Sequence, residues 1–394
     1  MTTTGFDTDF NPYDPAYAAD PVPVWHDLQA HCPVARSERF RGMWVPTRYE
    51  DIVAVARDPE TFSSRSPLVA EYANMSDYGL SVPPISSDPP YHTEIRRLLL
   101  PFFSPGPIEA LRPGVERHCD ELLDGFAAGP GCDGARDYAQ HIPVAVIARM
   151  LGIPQSDGDR FRGWVHTLLE LAAQDFNTAA HALGDFFWYF REELARRRES
   201  PGDDLVSFLA GATFEDRPLT ETEILGVSLL LLVAGIDTTW SAIGASLWHL
   251  ASHPADQERL RSEPDLWPTA VEELLRAYSP VTMARELTRD TDFGGCPMRA
   301  GDPLLLLFPA ANRDPDAFPD PDEVILDRAE NRHLAFGVGI HRCLGSNLAR
   351  LELEVALRRF LDRVPPFTLA DPAAVTWFSG QVRGPRTLPL VFDR

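Results

Sequence analysis

The chain has 394 residues, of which 44% are hydrophobic and 24% charged, a composition typical of a globular protein with one or two large cores. Its net charge of −22 argues against general binding to nucleic acid, which attracts basic proteins. The acidic N-terminal region has no signal-peptide pattern, and the longest apolar run, residues 224–236, is shorter than the ~20 residues that span a bilayer. Five cysteines at scattered spacings fit a reducing compartment, so we expect a soluble, cytoplasmic protein that binds no membrane.

Helical periodicity dominates the sequence. It predicts helices, in chain order, over residues 49–57, 92–102, 106–128, 143–151, 158–173, 179–198, 220–250, 255–261, 267–277 and 346–362. Strand signals are concentrated at about 35–65, 281–310 and 376–394, with turns at Gly294-Gly295 and Gly301-Asp302. No repeat or flexible linker interrupts the chain, so residues 1–394 are expected to form a single, mostly helical α+β domain with a small β-rich portion.

The segment LLLLVAGIDTTW, residues 229–240, changes from apolar to polar in the middle of the longest predicted helix. A capping box, Thr220-x-x-Glu223, begins this helix, which would be roughly 45 Å long and would cross the molecule. Its polar residues therefore lie near the centre of the protein. One interpretation is structural, because a threonine hydroxyl that bonds to the carbonyl four residues earlier bends and locally opens a helix. The other is that the polar cluster serves a chemical function, and both interpretations can hold.

The most informative segment is HLAFGVGIHRCLGSNLARLELEVALRRF, residues 333–360. A glycine-rich loop there delivers Cys343 to the start of the helix predicted from Ser346. Glycines allow close backbone approach, while exposed N–H groups and a helix N-terminus favour an anionic sulfur. A lone cysteine is usually a small buried hydrophobe. The six specified positions of this loop, however, are expected by chance in on the order of one in 10⁵ random sequences.

This loop, Phe336-Gly337-x-Gly339-x-His341-x-Cys343-x-Gly345, resembles the haem-ligand loop of the cytochrome P450 family. The resemblance implies the triangular helical fold of that family and a haem b whose iron takes the thiolate of Cys343 as axial ligand. It implies that Phe336 packs on the ligand side of the macrocycle, that His341 reaches a haem propionate, and that Gly345 belongs to the haem site.

Other motifs of the same family follow in order along the chain. The segment DPPYHTEIRR places His92 and Arg96 four residues apart, and with Arg285 they are implied to bind the haem propionates. Taken singly, each of these is more often a surface residue. The segments EELLR and LDRAENRHLAFG supply a further set of residues, which the resemblance implies to be a buried charged network beneath the haem: Glu273, Arg276 and Arg328.

The polar cluster of the long helix matches the family pattern A/G-G-x-D/E-T. By this resemblance Ala234 and Gly235 leave room for the haem and dioxygen, Thr238 hydrogen-bonds the bound oxygen, and Asp237 faces a solvent channel and relays protons inward. Thr239 has the weakest case for a chemical role. The intact Asp-Thr pair favours dioxygen activation over two alternatives, a peroxide-driven peroxygenase and a non-catalytic haem-binding sensor or carrier.

The resemblance also implies partners and a substrate class. Electrons would come from NAD(P)H only indirectly, through an acidic ferredoxin and its reductase. These would dock on segment 331–360, which carries five arginines against two glutamates, with Arg96 and Arg97 nearby. The expected substrate is a small or medium hydrophobic molecule, because the residues implied to line its pocket are almost all apolar: Ile85, Leu230, Val233, Ala234, Val281, Gln381 and Val382. Segment 66–87 would be a variable lid, with Tyr72, Met75 and Tyr78 as contact candidates.

Overall fold

The computed structural model describes residues 9–68, 81–171 and 176–393. The helices are α1 Pro15–Ala19, α2 Val22–His31, α3 Tyr49–Arg57, α4 Tyr91–Leu99, α5 Pro105–Glu109, α6 Arg112–Asp124, α7 His141–Met150, α8 Gly158–His166, α9 Phe176–Glu199, α10 Leu205–Gly211, α11 Glu221–Ser252, α12 Pro254–Ser262, α13 Trp267–Ala277, α14 Phe308–Ala311 and α15 Ser346–Arg363. The strands are β1 Val34–Arg36, β2 Trp44–Pro46, β3 Phe62–Ser63, β4 Gly131–Asp133, β5 Thr213–Phe214, β6 Arg217–Pro218, β7 Met283–Leu287, β8 Thr291–Phe293, β9 Cys296–Met298, β10 Pro303–Leu306, β11 Phe367–Leu369, β12 Thr376–Phe378, β13 Gly384–Thr387 and β14 Pro389–Phe392.

Every predicted helix has an observed counterpart, with two differences in extent. The helix predicted over 106–128 is two helices, α5 and α6, because Pro113 lacks a donor N–H and its ring disfavours helical geometry just before it. The helix predicted over 158–173 is α-helical only to His166, and residues Thr167–Leu171 form a π-helical turn. Four short helices, α1, α2, α10 and α14, were not predicted. The prolines of PVPVWHDLQAH indicate a loop in the sequence, yet proline is well tolerated in a first helical turn.

The β-rich portion forms around one five-stranded sheet of order β1-β2-β10-β7-β3. The strands of residues 35–65 and 281–310 thus meet in this sheet, with β2 and β10 parallel and the other neighbours antiparallel. Gly294 and Gly295 have positive φ and close the β8–β9 hairpin as predicted. The turn at Gly301 leads into β10, which pairs with β7. At the C-terminus β12 pairs with β13, whereas β14 pairs with β11 and with β4, a strand the sequence did not indicate.

The central helix α11 crosses the helical core, and most of its residues are buried. The predicted capping box is present, since the Thr220 side chain accepts from the Glu223 N–H and the Glu223 carboxylate accepts from the Thr220 N–H. The helix is continuous from Glu221 to Ser252, so the expected local opening at the polar cluster is wrong. Among the described residues α11 alone is long and apolar enough to cross a membrane, and 72% of its most apolar stretch is buried inside the protein.

Candidate active site

The glycine-rich loop before α15 positions Cys343 through its backbone. Gly337 and Gly339 have φ of +63° and +77°, a region that favours glycine. A side chain at Gly339 would also place its Cβ 2.4 Å from the carbonyl oxygen of Ala56 in α3. The Cys343 N–H donates to the carbonyl of Phe336 at 2.7 Å, which closes the loop. The loop is therefore fixed against its surroundings and turns the Cys343 side chain toward one cavity.

The surroundings of the Cys343 sulfur act on its pKa in opposite directions. Burial raises the pKa, while the N–H of Gly345 and the guanidinium groups of Arg96 and Arg342 lower it. Burial is the largest of these effects, so the free thiol retains its proton in the protein. A metal cation at the sulfur would reverse this balance, because a coordinated thiol is deprotonated outright.

Four basic side chains cluster beside this loop, in the positions assigned to the haem propionates. The rings of His92 and His341 are 4.2 Å apart, and Arg285 is only 5% exposed. Neither ring nitrogen of His92, nor Nε2 of His341, has a hydrogen-bond partner among the described residues. Burial, followed by the charges of Arg285, His92 and Arg96, lowers the pKa of His341 to about 2. Buried donors that lack an anionic partner fit a ligand with two carboxylates, and together with the Cys343 sulfur they fit haem.

The opposite wall of the cavity is the middle of α11. Ala234 is exposed to the cavity although it lies in a core helix, and Thr238 and Thr239 line the same space. The Thr238 hydroxyl donates to the carbonyl of Ala234 at 2.7 Å, the back-bond expected for a helical threonine. A Cβ at Gly235 would lie 2.5 Å from Cδ1 of Ile147, so the close packing of α7 on α11 is one reason for this glycine.

Asp237 does not face a solvent channel, and that expectation is wrong. Its side chain is buried, and its carboxylate forms an ion pair with Arg386 at 3.1 Å. Arg386 also bonds Glu170 at 2.5 Å, and Glu170 pairs with His166, whose side chain is half exposed. Burial raises the pKa of Asp237 to about 6, although the charge of Arg386 opposes this shift. The carboxylate is thus held inside a charged chain that reaches the surface.

Sequence reasoning did not find Arg386 or Glu170. Arg386 lies in β13, 149 residues after Asp237, in a segment that was interpreted only as hairpin material. Its guanidinium also lies over the rings of Trp240 and Phe378. No local sequence pattern around Arg386 indicates that it contacts the central helix.

The cavity has a volume of about 860 Å³, and all the residues predicted for the substrate pocket line it. The lining adds residues that the sequence did not indicate, chiefly from α9 and from the first half of α11: Leu183, Phe187, Leu225 and Leu229. Among the predicted pocket residues Gln381 is the polar one, and its amide nitrogen donates to the carbonyl of Thr282. Tyr72, Met75 and Tyr78 lie outside the described residues.

The predicted charged network is assembled in the structure. Glu273 and Arg276 are fully buried and form two hydrogen bonds of 2.8 Å, while Nε of Arg328 lies 3.0 Å and 3.1 Å from the two Glu273 oxygens. The remaining donors of Arg276 bond backbone carbonyls, including that of Asn312. Asn312 in turn accepts from the Leu334 N–H through its side chain, which connects the network to the start of the cysteine loop.

Much of the positive charge of segment 331–360 is neutralised. Arg350 pairs with Glu272, Arg358 with Glu354, and Arg359 with Asp120. Arg97 pairs with Glu94 within α4. The expected basic patch is therefore smaller than the residue count indicates. Arg332 and Arg342 remain, two exposed arginines with no carboxylate partner in the described part of the chain. The guanidinium of Arg332 lies over the ring of Tyr49, and that of Arg342, beside the cysteine, bonds the Ser346 hydroxyl.

The chain is similar in sequence to known proteins over nearly its whole length. The family described as "Cytochrome P450" matches residues 158–365. The chain is 38% identical to the mycinamicin IV hydroxylase/epoxidase of Micromonospora griseorubida, over 93% of this chain and 94% of that protein. It is 39% identical to the probable cytochrome P450 127A1 of Sinorhizobium fredii, over 87% and 82% of the two chains.

The fold is likewise similar to solved structures of this family. The cytochrome P450 PksS of the Bacillus subtilis 168 bacillaene polyketide synthase superimposes with a TM-score of 0.88 at 32% sequence identity. The match covers 98% of this chain and 100% of that one. The arrangement of a helical core and a smaller β-rich portion around one cavity is thus the fold of these enzymes.

Proposed function

The chain belongs to the cytochrome P450 family and is a monooxygenase, and on this premise we propose that it oxidises a small to medium hydrophobic organic substrate. The reaction would be hydroxylation, or a related O-dealkylation or epoxidation, with electrons from a separate ferredoxin and its reductase. The observation that carries the proposal is one cavity with Cys343 on one wall and Thr238 on the other, lined between them by aliphatic side chains.

The family implies a haem with a cysteine thiolate ligand, and the residues of this site fit it. Bound haem would supply the reductive activation of dioxygen, which an axial thiolate favours by pushing electron density to the iron. Cys343 would hold the iron, and His92, Arg96, Arg285 and His341 would hold the two propionates. Phe336, whose ring lies under the guanidinium of Arg350 at 4.5 Å, would hold the cysteine loop against the macrocycle.

We assign the positioning of the oxygen substrate to Thr238. Its hydroxyl hydrogen is engaged by the Ala234 carbonyl, so its oxygen lone pairs are directed toward the cavity and can accept a hydrogen bond. As a hydrogen-bond acceptor, the Thr238 hydroxyl would hold a protonated oxygen of the oxygen substrate in place and keep the proton on that oxygen.

We assign proton supply to Asp237, one residue earlier on the same helix. A pKa near 6 suits a group that both gives and regains protons near neutral pH. Arg386 holds the Asp237 carboxylate away from the cavity. To deliver a proton, Asp237 must therefore leave Arg386, which can stay in place through its pair with Glu170. Arg386 and Glu170 are therefore positioning residues for this step.

The substrate class follows from the lining of the cavity. Leu230, Val233 and Val382 present only hydrocarbon, and burial of such a surface favours an apolar ligand. The similarity to an enzyme named as a mycinamicin IV hydroxylase/epoxidase agrees with the oxidation of an organic substrate. The few polar groups that line the cavity apart from the haem residues, Gln381 among them, would orient it.

Three measurements test this proposal. The reduced, carbon-monoxide-treated holoprotein should show the strongly red-shifted Soret band of thiolate ligation. Cys343→Ser should lose that band, while Cys296→Ser, a change at a cysteine remote from the cavity, should keep it. A spin-state screen of hydrophobic ligands then finds compounds that displace water from the iron. Turnover of a hit with ferredoxin, reductase and labelled dioxygen should place one labelled oxygen atom in the product. Product formation only with added peroxide would contradict the proposal.

A further inference from the structure

A tyrosine, a histidine and a carboxylate are connected by short hydrogen bonds at the far end of the central helix. The hydroxyl of Tyr278 lies 2.7 Å from Nδ1 of His249, and Nε2 of His249 lies 2.8 Å from a carboxylate oxygen of Asp256. The side chain of His249 is 1% exposed, whereas that of Asp256 is 19% exposed and reaches solvent. None of these residues belongs to the cavity that holds Cys343 and Thr238.

The carboxylate determines the direction of these bonds. Asp256 can only accept, so Nε2 of His249 carries the hydrogen and Nδ1 is left as an acceptor. Tyr278 therefore donates its phenolic hydrogen to a neutral imidazole. Burial raises the pKa of the Tyr278 phenol to about 12 and lowers that of His249, so both groups are neutral before any reaction. The charges around the phenol are Arg313, Arg383 and Arg276, which favour its ionisation, and Asp256, which opposes it.

Aromatic rings connect this triad with the interior of the protein. The ring of Trp248 lies 5.9 Å from that of Tyr278 and 5.5 Å from that of Trp377, both edge to face. Trp248 is ten residues after Thr238 on the same helix, which is about 15 Å along the helix axis. An electron that leaves Trp248 for an oxidised group in the cavity has to cross this distance.

We propose that Tyr278 is a redox-active tyrosine that removes oxidising equivalents from the haem site when no substrate consumes them. Trp248 gives one electron to the oxidised centre and becomes a radical cation. Tyr278 then reduces Trp248 with one electron and passes its phenolic proton to Nδ1 of His249, which leaves a neutral phenoxyl radical and an imidazolium. The carboxylate of Asp256 stabilises that imidazolium. A thiol or ascorbate-type reductant returns the electron, and His249 returns the proton.

The hydrogen-bond partner distinguishes Tyr278 from Tyr49 and Tyr138, whereas Tyr91 and Tyr189 donate to the carboxylates of Glu223 and Asp157 and therefore also have a base. The hydroxyl of Tyr49 donates at the same distance, 2.7 Å, but to the backbone carbonyl of Arg332, which cannot take a proton. The hydroxyl of Tyr138 likewise donates to the carbonyl of Ala356. Oxidation of either phenol would leave its proton without a base, whereas at Tyr278 electron and proton can leave together.

The test uses haem-loaded protein, without substrate, mixed with hydrogen peroxide and frozen within milliseconds to seconds for electron paramagnetic resonance. We expect a tyrosyl radical signal that is narrowed by ring-deuterated tyrosine. Tyr278→Phe, which keeps the ring against Trp248, should lose most of it, and His249→Gln should lower its yield. Tyr49→Phe, the matched control, should leave the signal unchanged. An undiminished signal in folded Tyr278→Phe would overturn the proposal.

A second measurement needs no variant and therefore does not depend on the folding of one. The wild-type holoprotein is treated with peroxide in the presence of a nitroso spin trap, digested, and mapped by mass spectrometry. The adduct should be on the peptide that contains Tyr278 and be absent from that containing Tyr49. Adducts confined to other tyrosines would count against Tyr278, and an absence of tyrosine adducts would overturn the inference.

Discussion

The carboxylate of Asp237 lies 3.1 Å from the guanidinium of Arg386, so the helix that carries Thr238 is connected to a C-terminal strand. This contact opposes the effect of burial on the Asp237 pKa, which nevertheless rises from 3.8 to about 6. Burial is the largest effect on this pKa, and the charge and hydrogen bond of Arg386 oppose it, so the pKa depends on the arginine. The role of Asp237 as a proton donor can therefore be tested by removing Arg386 and measuring the pH dependence of turnover.

We expect the turnover number to fall as pH rises through about 6, because only the protonated form of Asp237 donates a proton. Arg386→Gln removes a cation that lowers this pKa, so the falling arm should move to higher pH. Asp237→Asn should be slow at every pH and lack the arm. The measurement is kcat against pH with saturating substrate and reductant.

The control for this series is Arg289→Gln, which removes a cation that bonds the Thr61 hydroxyl and does not contact Asp237. Its pH profile should match that of the wild type. A profile of Arg386→Gln that coincides with the wild type would show that Asp237 does not set the arm.

The cysteine loop and the part of the cavity lining supplied by α11 could be predicted from local spacing, whereas Ile85, Val281, Gln381 and Val382 were expected only from the resemblance to the family. Six residues within ten positions specify the loop around Cys343, and helical periodicity places Leu230 and Val233 on the cavity side of α11. The partner of Asp237 could not be predicted in this way. Arg386 is 149 residues away, and no periodic pattern links a helix residue to a strand residue across the fold.

The surface charge around the cysteine could not be predicted from local sequence either. A count over residues 331–360 predicts a basic patch, but the partners that neutralise it lie elsewhere in the chain. Asp120 comes from α6 and Glu272 from α13, and each binds an arginine of α15. Gly235 is a related case, since its contact with Ile147 arises from the packing of α7 against α11. Such contacts depend on the packing of elements that are distant in sequence, which no short sequence segment predicts.

Thr238→Ala should uncouple electron consumption from product formation. Without the hydroxyl, a protonated oxygen in the cavity loses its acceptor, so reductant should be consumed and hydrogen peroxide released. A hydrogen bond worth about 1.4 kcal/mol corresponds to a roughly tenfold fall in product per electron pair. The measurement compares reductant consumed, peroxide released and product formed.

Ser246→Ala is the matched control for this change. Its hydroxyl makes the same type of back-bond on the same helix, to the carbonyl of Ala242 at 2.8 Å, but it is buried outside the cavity. Coupling should be unchanged in this variant. Equal coupling in Thr238→Ala and Ser246→Ala would remove the role assigned to Thr238.

Glu273→Gln should destabilise the protein severely. The change leaves Arg276, which is fully buried, and Arg328 without the carboxylate between them, and breaking a buried ion pair in this way costs about 3–5 kcal/mol. Glu263→Gln is the control, because its side chain and that of its partner Arg259 are 50% and 36% exposed and such surface pairs contribute about 1 kcal/mol or less. Urea unfolding of both variants measures the difference. Similar midpoints for the two would contradict a structural role for the network.

Arg342→Gln should slow reduction by the ferredoxin and flatten its dependence on salt. Arg350, Arg358 and Arg359 are paired with carboxylates, whereas Arg342, beside Cys343, has no carboxylate partner among the described residues and stays available to an acidic partner. The removal of one interfacial cation lowers the association rate most at low ionic strength, where charges are least screened. Arg259→Gln makes the same change in net charge at the pair with Glu263, and it should leave the stopped-flow rates unchanged. If both variants slow equally, the effect comes from total charge and docking is not centred on Arg342.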